Sequence, residues 1–264
     1  MLDITAISKT FHPGTPNARQ ALRQLSLHLE DGEFATIVGS NGAGKSTLFG
    51  AIAGSFYTDE GRILLDGTDL TFQPEHQRSR VIGRLFQDPM RGTAPHMTIE
   101  ENLALAYLRA SHGSPFRRIT PRDRELFRSQ LAQLDMGLEE RMRQPVGLLS
   151  GGQRQALTLL MATIKQPKLL LLDEHTAALD PKTAKNVLTL TQKIIAENHL
   201  TAMMVTHNMK DALEYGNRTI MMHEGKIILD IDAETKKRIH VEDLLVMFEK
   251  ASGSEINNDR MLLG

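Results

Sequence analysis

The 264-residue chain contains no cysteine, which excludes disulfides, thiolate metal sites and cysteine nucleophiles. It also lacks any uninterrupted apolar stretch approaching the roughly 20 residues needed to span a bilayer. Met1-Leu2-Asp3-Ile4-Thr5 is not a basic segment followed by an apolar core, so no secretory leader is read there. Charge of neither sign is in surplus. Lys and Arg total 31 against 32 Asp and Glu, a net charge of −1, so no global basic field invites a nucleic acid. Long heptad segments are missing too. What remains, 41% hydrophobic and 24% charged, is ordinary for a soluble globular protein. It suffices for one large domain or for a domain with a substantial subdomain. A reducing compartment suits the absence of cysteine, and any membrane role is expected to run through a partner.

The stretch that organises the chain is Gly39-Ser40-Asn41-Gly42-Ala43-Gly44-Lys45-Ser46-Thr47. An apolar, partly β-branched run over 33–38 reads as a strand that stops at glycine, and 48–53 reads as a buried helix. Between them lies the spacing G-x-x-x-x-G-K-[ST]. Glycines let successive amides point at a phosphate chain, and the helix start adds its own amides and positive dipole end. Lys45 would reach the β- and γ-phosphates, and the Ser46 hydroxyl would ligate Mg²⁺.

Before this loop, residues 2–8 alternate and read as an edge strand, 10–17 as a turn-rich loop, and 25–29 as a second strand. Phe11 is the loop's only aromatic residue; it either stacks on a purine or covers a core edge. Further strands are expected over 61–67 and 80–86, the latter closed by Gln87-Asp88-Pro89. The composition then turns helical. Thr98 and Glu101 have the spacing of a capping box for a helix to about Ala110, and Thr120-Pro121 marks another helix start. Arg117 and Arg118 lie in the intervening loop, as solvated side chains or as contacts to a partner or lipid headgroups.

Ser150-Gly151-Gly152-Gln153 opens a helix over 154–164. Ser150 and Gln153 fit a capping box, yet two glycines weaken a helix by about 1 kcal/mol each, so amides exposed for an anion are the second reading. Four consecutive leucines, 169–172, suit a strand buried on both faces of a parallel sheet. Asp173 and Glu174 end it, where open α/β sheets bind ligands. Asp173 would hold Mg²⁺ and Glu174 would orient or deprotonate water; otherwise both are an exposed strand end. Asp180-Pro181 starts a helix to about Asn198, and 201–206 is a strand. His207, just beyond it, is either structural or a donor to the same phosphates. Met203, Met204, Met221 and Met222 read as core, 219–230 as a hairpin, 241–250 as a short helix with Leu244, Leu245 and Phe248 on one face, and 251–264 as a loosely ordered tail.

The phosphate loop, Gln87, Ser150-Gly151-Gly152-Gln153, Asp173-Glu174, Ala178-Leu179-Asp180 and His207 occur in that order, and in this the chain resembles the ATP-binding cassette (ABC) ATPases. The resemblance covers the chain to about residue 230, and its LSGGQ element is highly specific. It implies an α/β fold: a P-loop NTPase core (1–87 and 167–230) with an N-terminal antiparallel β portion, an inserted helical subdomain (88–166) and a C-terminal tail (231–264). It implies ATP and Mg²⁺ as ligands and a homodimer with each ATP between the phosphate loop of one copy and Ser150, Gly151 and Gly152 of the other. Gln87 would contact Mg²⁺ and water, Asp180 would connect the two sites, His207 would touch the γ-phosphate, and Phe11 matches the adenine-stacking position. Where the family usually carries proline after the catalytic Glu, this chain has His175, expected to be a structural variant. The stretch 173–181 looks like bacterial uptake-system ATPases that work with a separate membrane permease and an extracytoplasmic substrate-binding protein, often for amino acids. Such a subunit sits peripherally on the cytoplasmic side of the membrane. An exporter or lipoprotein-release ATPase, or a soluble non-transport ABC ATPase, would use the same ATP residues.

Overall fold

Alternation of apolar residues in the opening third and 3.6-residue spacing after it translate into strands and helices that position four strand-to-loop junctions. The computed structural model describes residues 1–109 and 119–252. In chain order the strands are β1 (Leu2–Phe11), β2 (Arg19–Leu29), β3 (Phe34–Gly39), β4 (Glu60–Leu65), β5 (Thr68–Asp69), β6 (Ile82–Leu85), β7 (Leu169–Asp173), β8 (Ala202–Val205), β9 (Arg218–His223) and β10 (Lys226–Ile231). The helices are α1 (Lys45–Ala53), α2 (Glu75–Arg78), α3 (Ile99–Arg109), α4 (Pro121–Ala132), α5 (Gly151–Thr163), α6 (Pro181–Glu197), α7 (Met209–Glu214), α8 (Ala233–Lys236) and α9 (Val241–Ser252). The expectations for Ala110, Arg117 and Arg118, and for the tail beyond Ser252, fall outside the described residues.

The chain divides into two compact units, one formed by Met1–Arg78 with the chain from His199 onward, the other by Ser79–Asn198. In the first, β2, β1, β4 and β5 form an antiparallel sheet in that order. Residues 2–8 are therefore not an edge strand, as the alternation suggested. β1 lies between β2 and β4 and runs on to Phe11. Alternation reports that one face is buried and says nothing of how many neighbours a strand has.

The same unit carries β3 between β8 and β9, parallel to both, with β10 antiparallel on β9 as the expected hairpin. β3 is buried at every position, as are Met203, Met204, Met221 and Met222. Leu244 and Phe248 of α9 pack with Val38, Met209, Ala212 and Met221. Short helices α2, α7 and α8 were not legible, having four to six residues each.

In the second unit β6 and β7 pair in parallel, and residues 169–172 are all buried, as a strand covered on both faces requires. A separate core gathers Ile99 and Leu103 of α3, Phe127 and Leu131 of α4, and Leu157 and Leu160 of α5. The predicted helix starts are built as read. Thr98 Oγ1 accepts from the Glu101 amide at 3.3 Å while the Glu101 carboxylate accepts from the Thr98 amide at 2.7 Å. Thr120 and Asp123 form the equivalent box at α4, with Pro121 in the first turn.

Candidate active site

In the first unit the phosphate loop leaves the carboxyl end of β3. Ile37 is paired with Val205 of the parallel neighbour β8, and the Thr206 amide donates to the Ile37 carbonyl at 3.1 Å. Gly39 and His207 therefore emerge side by side from adjacent parallel strands, where α/β sheets hold ligands. Sequence position alone had placed the two 168 residues apart.

The loop itself is shaped by contacts only glycine allows. Gly39 has φ +151°, and a Cβ there would lie 2.1 Å from the Met222 carbonyl oxygen. Gly44, with φ +103°, would meet the Ala21 carbonyl oxygen at 2.6 Å. The Gly225 amide, in the turn joining β9 to β10, donates to the Ala43 carbonyl at 2.9 Å and braces the loop from behind. Lys45 is buried, and its Nζ donates to the carbonyls of Gly39 at 2.6 Å and Ser40 at 3.2 Å. The ammonium is thus fixed inside the loop's curl.

No side chain caps the amides at the start of α1, whose N-cap is Gly44. Asn41, Gly42 and Ser46 are exposed. A closely packed curl, a buried ammonium and an uncapped helix start fit a polyphosphate. Phe11 is half-buried at the end of β1, with its ring edge-on to Phe56 at 5.2 Å. One side of the ring is thus held by packing.

The second unit assembles the remaining residues. β6 and β7 are in register from Ile82 with Leu169 to Leu85 with Leu172, so Gln87 and Asp173-Glu174 follow the carboxyl ends of adjacent parallel strands. Asp173 closes β7 half-buried. Glu174 has φ +46°, a left-handed backbone uncommon outside glycine and concentrated at functional sites. Among the described residues no group of three or more His, Cys, Asp or Glu side chains converges as a metal site. A Mg²⁺ in this unit would therefore depend on the Asp173 carboxylate and the Gln87 amide oxygen together with the nucleotide's own oxygens, a donor set that suits this ion.

Sequence reading missed Arg84. It is paired with Leu171, two residues before Asp173 on the same strand face, and its Nη2 lies 3.7 Å from Asp173 Oδ2. The guanidinium also covers the ring of Phe86, which precedes Gln87, at 4.7 Å. A cation two positions before a strand's end was the available signal, but the strand register was needed to use it.

At the start of α5 the capping-box reading is borne out. Ser150 Oγ accepts from the Gln153 amide at 3.3 Å and Gln153 Oε1 accepts from the Ser150 amide at 3.2 Å, completing the capping box. Ser150 and Gly151 are exposed; Gly152 is buried, and a Cβ on it would lie 2.3 Å from Thr183 Cγ2 of α6. Gly152 thus answers a packing demand that the motif does not announce. Asp180 caps α6 by accepting from the Thr183 amide at 3.1 Å, and bonding to Thr183 holds its carboxyl below the usual range.

Residues 22–177 match the family model described as ABC transporter. The chain belongs to the ABC transporter family. It is 45% identical over 253 residues to a tyrosine transport ATP-binding protein of Clostridioides difficile (strain R20291), covering 95% of this chain and all of that one. It is 33% identical over 270 residues to a phosphonates import ATP-binding protein of Alcaligenes faecalis, covering 98% and 95%. Among solved structures, the ATP-binding cassette MJ0796, in a dimeric post-hydrolysis state bound to ADP and Pi, is similar at a TM-score of 0.76 and 26% identity, over 88% of this chain and 99% of that one. The ABC cassette is an ATP-binding enzyme that hydrolyses its nucleotide, and the P-loop NTPase α/β fold expected from the sequence is the fold observed. No helix among the described residues is long and apolar enough to cross a membrane.

Proposed function

We propose that this ABC ATPase powers the uptake of an amino acid through a separate membrane permease, fed by an extracytoplasmic substrate-binding protein. The observation that carries the reading is the 45% identity to a tyrosine transport ATP-binding protein over its whole length. The subunit sits peripherally at the cytoplasmic face and works as a homodimer. Residues 1–87 and 167–230 form the nucleotide-binding core, 88–166 the helical part that passes motion to the permease, and 231–264 a tail.

In this reading Phe11 stacks on adenine while the amides of 39–47 and Lys45 hold the phosphates. Ser150, Gly151 and Gly152 of the second copy approach the γ-phosphate, with Gln153 capping their helix. Ser46, Gln87 and Asp173 would hold Mg²⁺, which would supply positive charge against the phosphates. Glu174 takes a proton from the attacking water as its oxygen bonds to the γ-phosphorus, and ADP departs with the bridging oxygen. His207 donates to the γ-phosphate and reports its presence. The carboxyl-end placement of Lys45 and His207 on one unit, and of Gln87, Asp173 and Glu174 on the other, supports these roles.

Co-purification of the tagged protein from gently solubilised native membranes, with partners identified by mass spectrometry, tests the proposal. A polytopic permease arriving with a binding protein for an amino acid is expected. A partner with few spans and a large external domain would assign the ATPase to export or lipoprotein release instead. Soluble partners alone would overturn the transporter reading.

A further inference from the structure

Arg19 opens β2 directly opposite Phe11, its partner in the antiparallel register with β1. From there the side chain reaches the phosphate loop, where Nη2 donates to the Gly42 carbonyl at 3.1 Å. One exposed residue thus joins the ring expected beneath the base to the loop expected around the phosphates. Several other arginines of this unit are paired with carboxylates, whereas Arg78 is buried among backbone carbonyls. Arg23, on the same strand, faces Glu224 at 3.5 Å, and Arg218 is held by Glu33 at 3.0 Å and Asp230 at 2.6 Å. Arg19 has no carboxylate partner among the described residues; the Gly42 carbonyl is what it bonds. A guanidinium offers five N–H donors in a rigid fork suited to phosphate, and one of them is used at Gly42.

We propose that Arg19 is a nucleotide ligand that binds the phosphate chain from the base side of the loop. It adds an exterior positive charge to the buried one of Lys45 and raises affinity for nucleoside di- and triphosphates. The proposal rests on the reading of 39–47 as the ATP phosphate loop. It assigns to Arg19 what the phosphate-loop motif, which begins twenty positions later, does not contain.

The test is titration of the purified full chain with a fluorescent N-methylanthraniloyl ATP and ADP at low and moderate salt, for wild type, Arg19→Ala, Arg19→Lys and Lys45→Ala. Arg19→Ala is expected to weaken both nucleotides about tenfold, the worth of one charge-assisted hydrogen bond. The loss should shrink as salt rises, Arg19→Lys should recover most of it, and the unfolding temperature without nucleotide should not move. An Arg19→Ala affinity within twofold of wild type, beside a Lys45→Ala variant that no longer binds, would overturn the role of Arg19 and leave the ATP site standing. Weakened binding with a lowered unfolding temperature and no recovery by lysine would make Arg19 a brace for Gly42, also against the proposal. A wild-type chain that bound neither nucleotide would overturn the ATP reading itself.

Discussion

Nε2 of His175 lies 3.2 Å from Thr191 Oγ1, and both side chains are buried. Thr191 Oγ1 already donates to the Val187 carbonyl at 2.8 Å, so the imidazole is the donor and carries its proton on Nε2. Burial pushes its pKa down to about 4, which keeps the ring neutral at physiological pH. The residue next to the proposed base is therefore tied into the packing against α6. His175→Pro, which installs the usual family residue, should leave kcat within about threefold of wild type. It should lower stability by about 2 kcal/mol through the lost packing and buried hydrogen bond. Steady-state ATPase assays and urea unfolding check both halves. A hundredfold loss of kcat in a folded variant would give the ring a part in the chemistry.

Arg78 is a second buried group whose role is legible only in three dimensions. Its Nη1 donates to the carbonyls of Ala51 and Ile52 at 2.6 and 2.9 Å, Nε to Gln73 at 2.8 Å and Nη2 to Thr71 at 3.1 Å. Ala51 and Ile52 are in the last turn of α1, where carbonyls lack intrahelical partners and the helix dipole favours a cation. Arg78→Met should cost about 3 kcal/mol, because buried carbonyls lose their donors. Amide exchange should quicken around residues 50–54. Unchanged unfolding and exchange would contradict this.

Lys236 gives a pH dependence of defined sign. Its Nζ donates to the Tyr215 carbonyl at 2.5 Å from a site that is 7% exposed, and burial pushes its pKa from 10.5 to about 8. Between those values the unfolded chain binds the proton that the folded chain has released, so this lysine makes stability rise with pH across that window. Comparing wild type with Lys236→Met by denaturant unfolding at pH 7.5 to 10 (about the span of the shift) should show a flatter profile for the variant. Parallel profiles would contradict the assignment.

What the sequence made legible was local. The phosphate loop, the capping boxes at Thr98 and Ser150, the buried leucine strand and the β9–β10 hairpin each draw on residues within a few positions of one another, and each was found where read. What it hid depended on register and on long-range approach. The neighbours of β1, the ion pair of Arg84 with Asp173 and the reach of Arg19 to Gly42 all follow from strand pairing that no short pattern encodes. Gly152 is instructive because its motif suggested amides for an anion, while Thr183, 31 positions away, supplies a steric demand for the same glycine. A glycine can serve both, and only coordinates reveal the second.

The most direct measurement is light scattering on a Glu174→Gln variant with and without saturating Mg-ATP, alongside its ATPase rate. Removing the proposed base while keeping its shape should reduce turnover at least a hundredfold, within the range general-base catalysis supplies. Trapped ATP should then hold two copies together, so the variant is expected to run at twice the mass of one chain with nucleotide and as a single chain without it. A variant that stays monomeric in saturating Mg-ATP would contradict a site completed by the second copy's Ser150, Gly151 and Gly152.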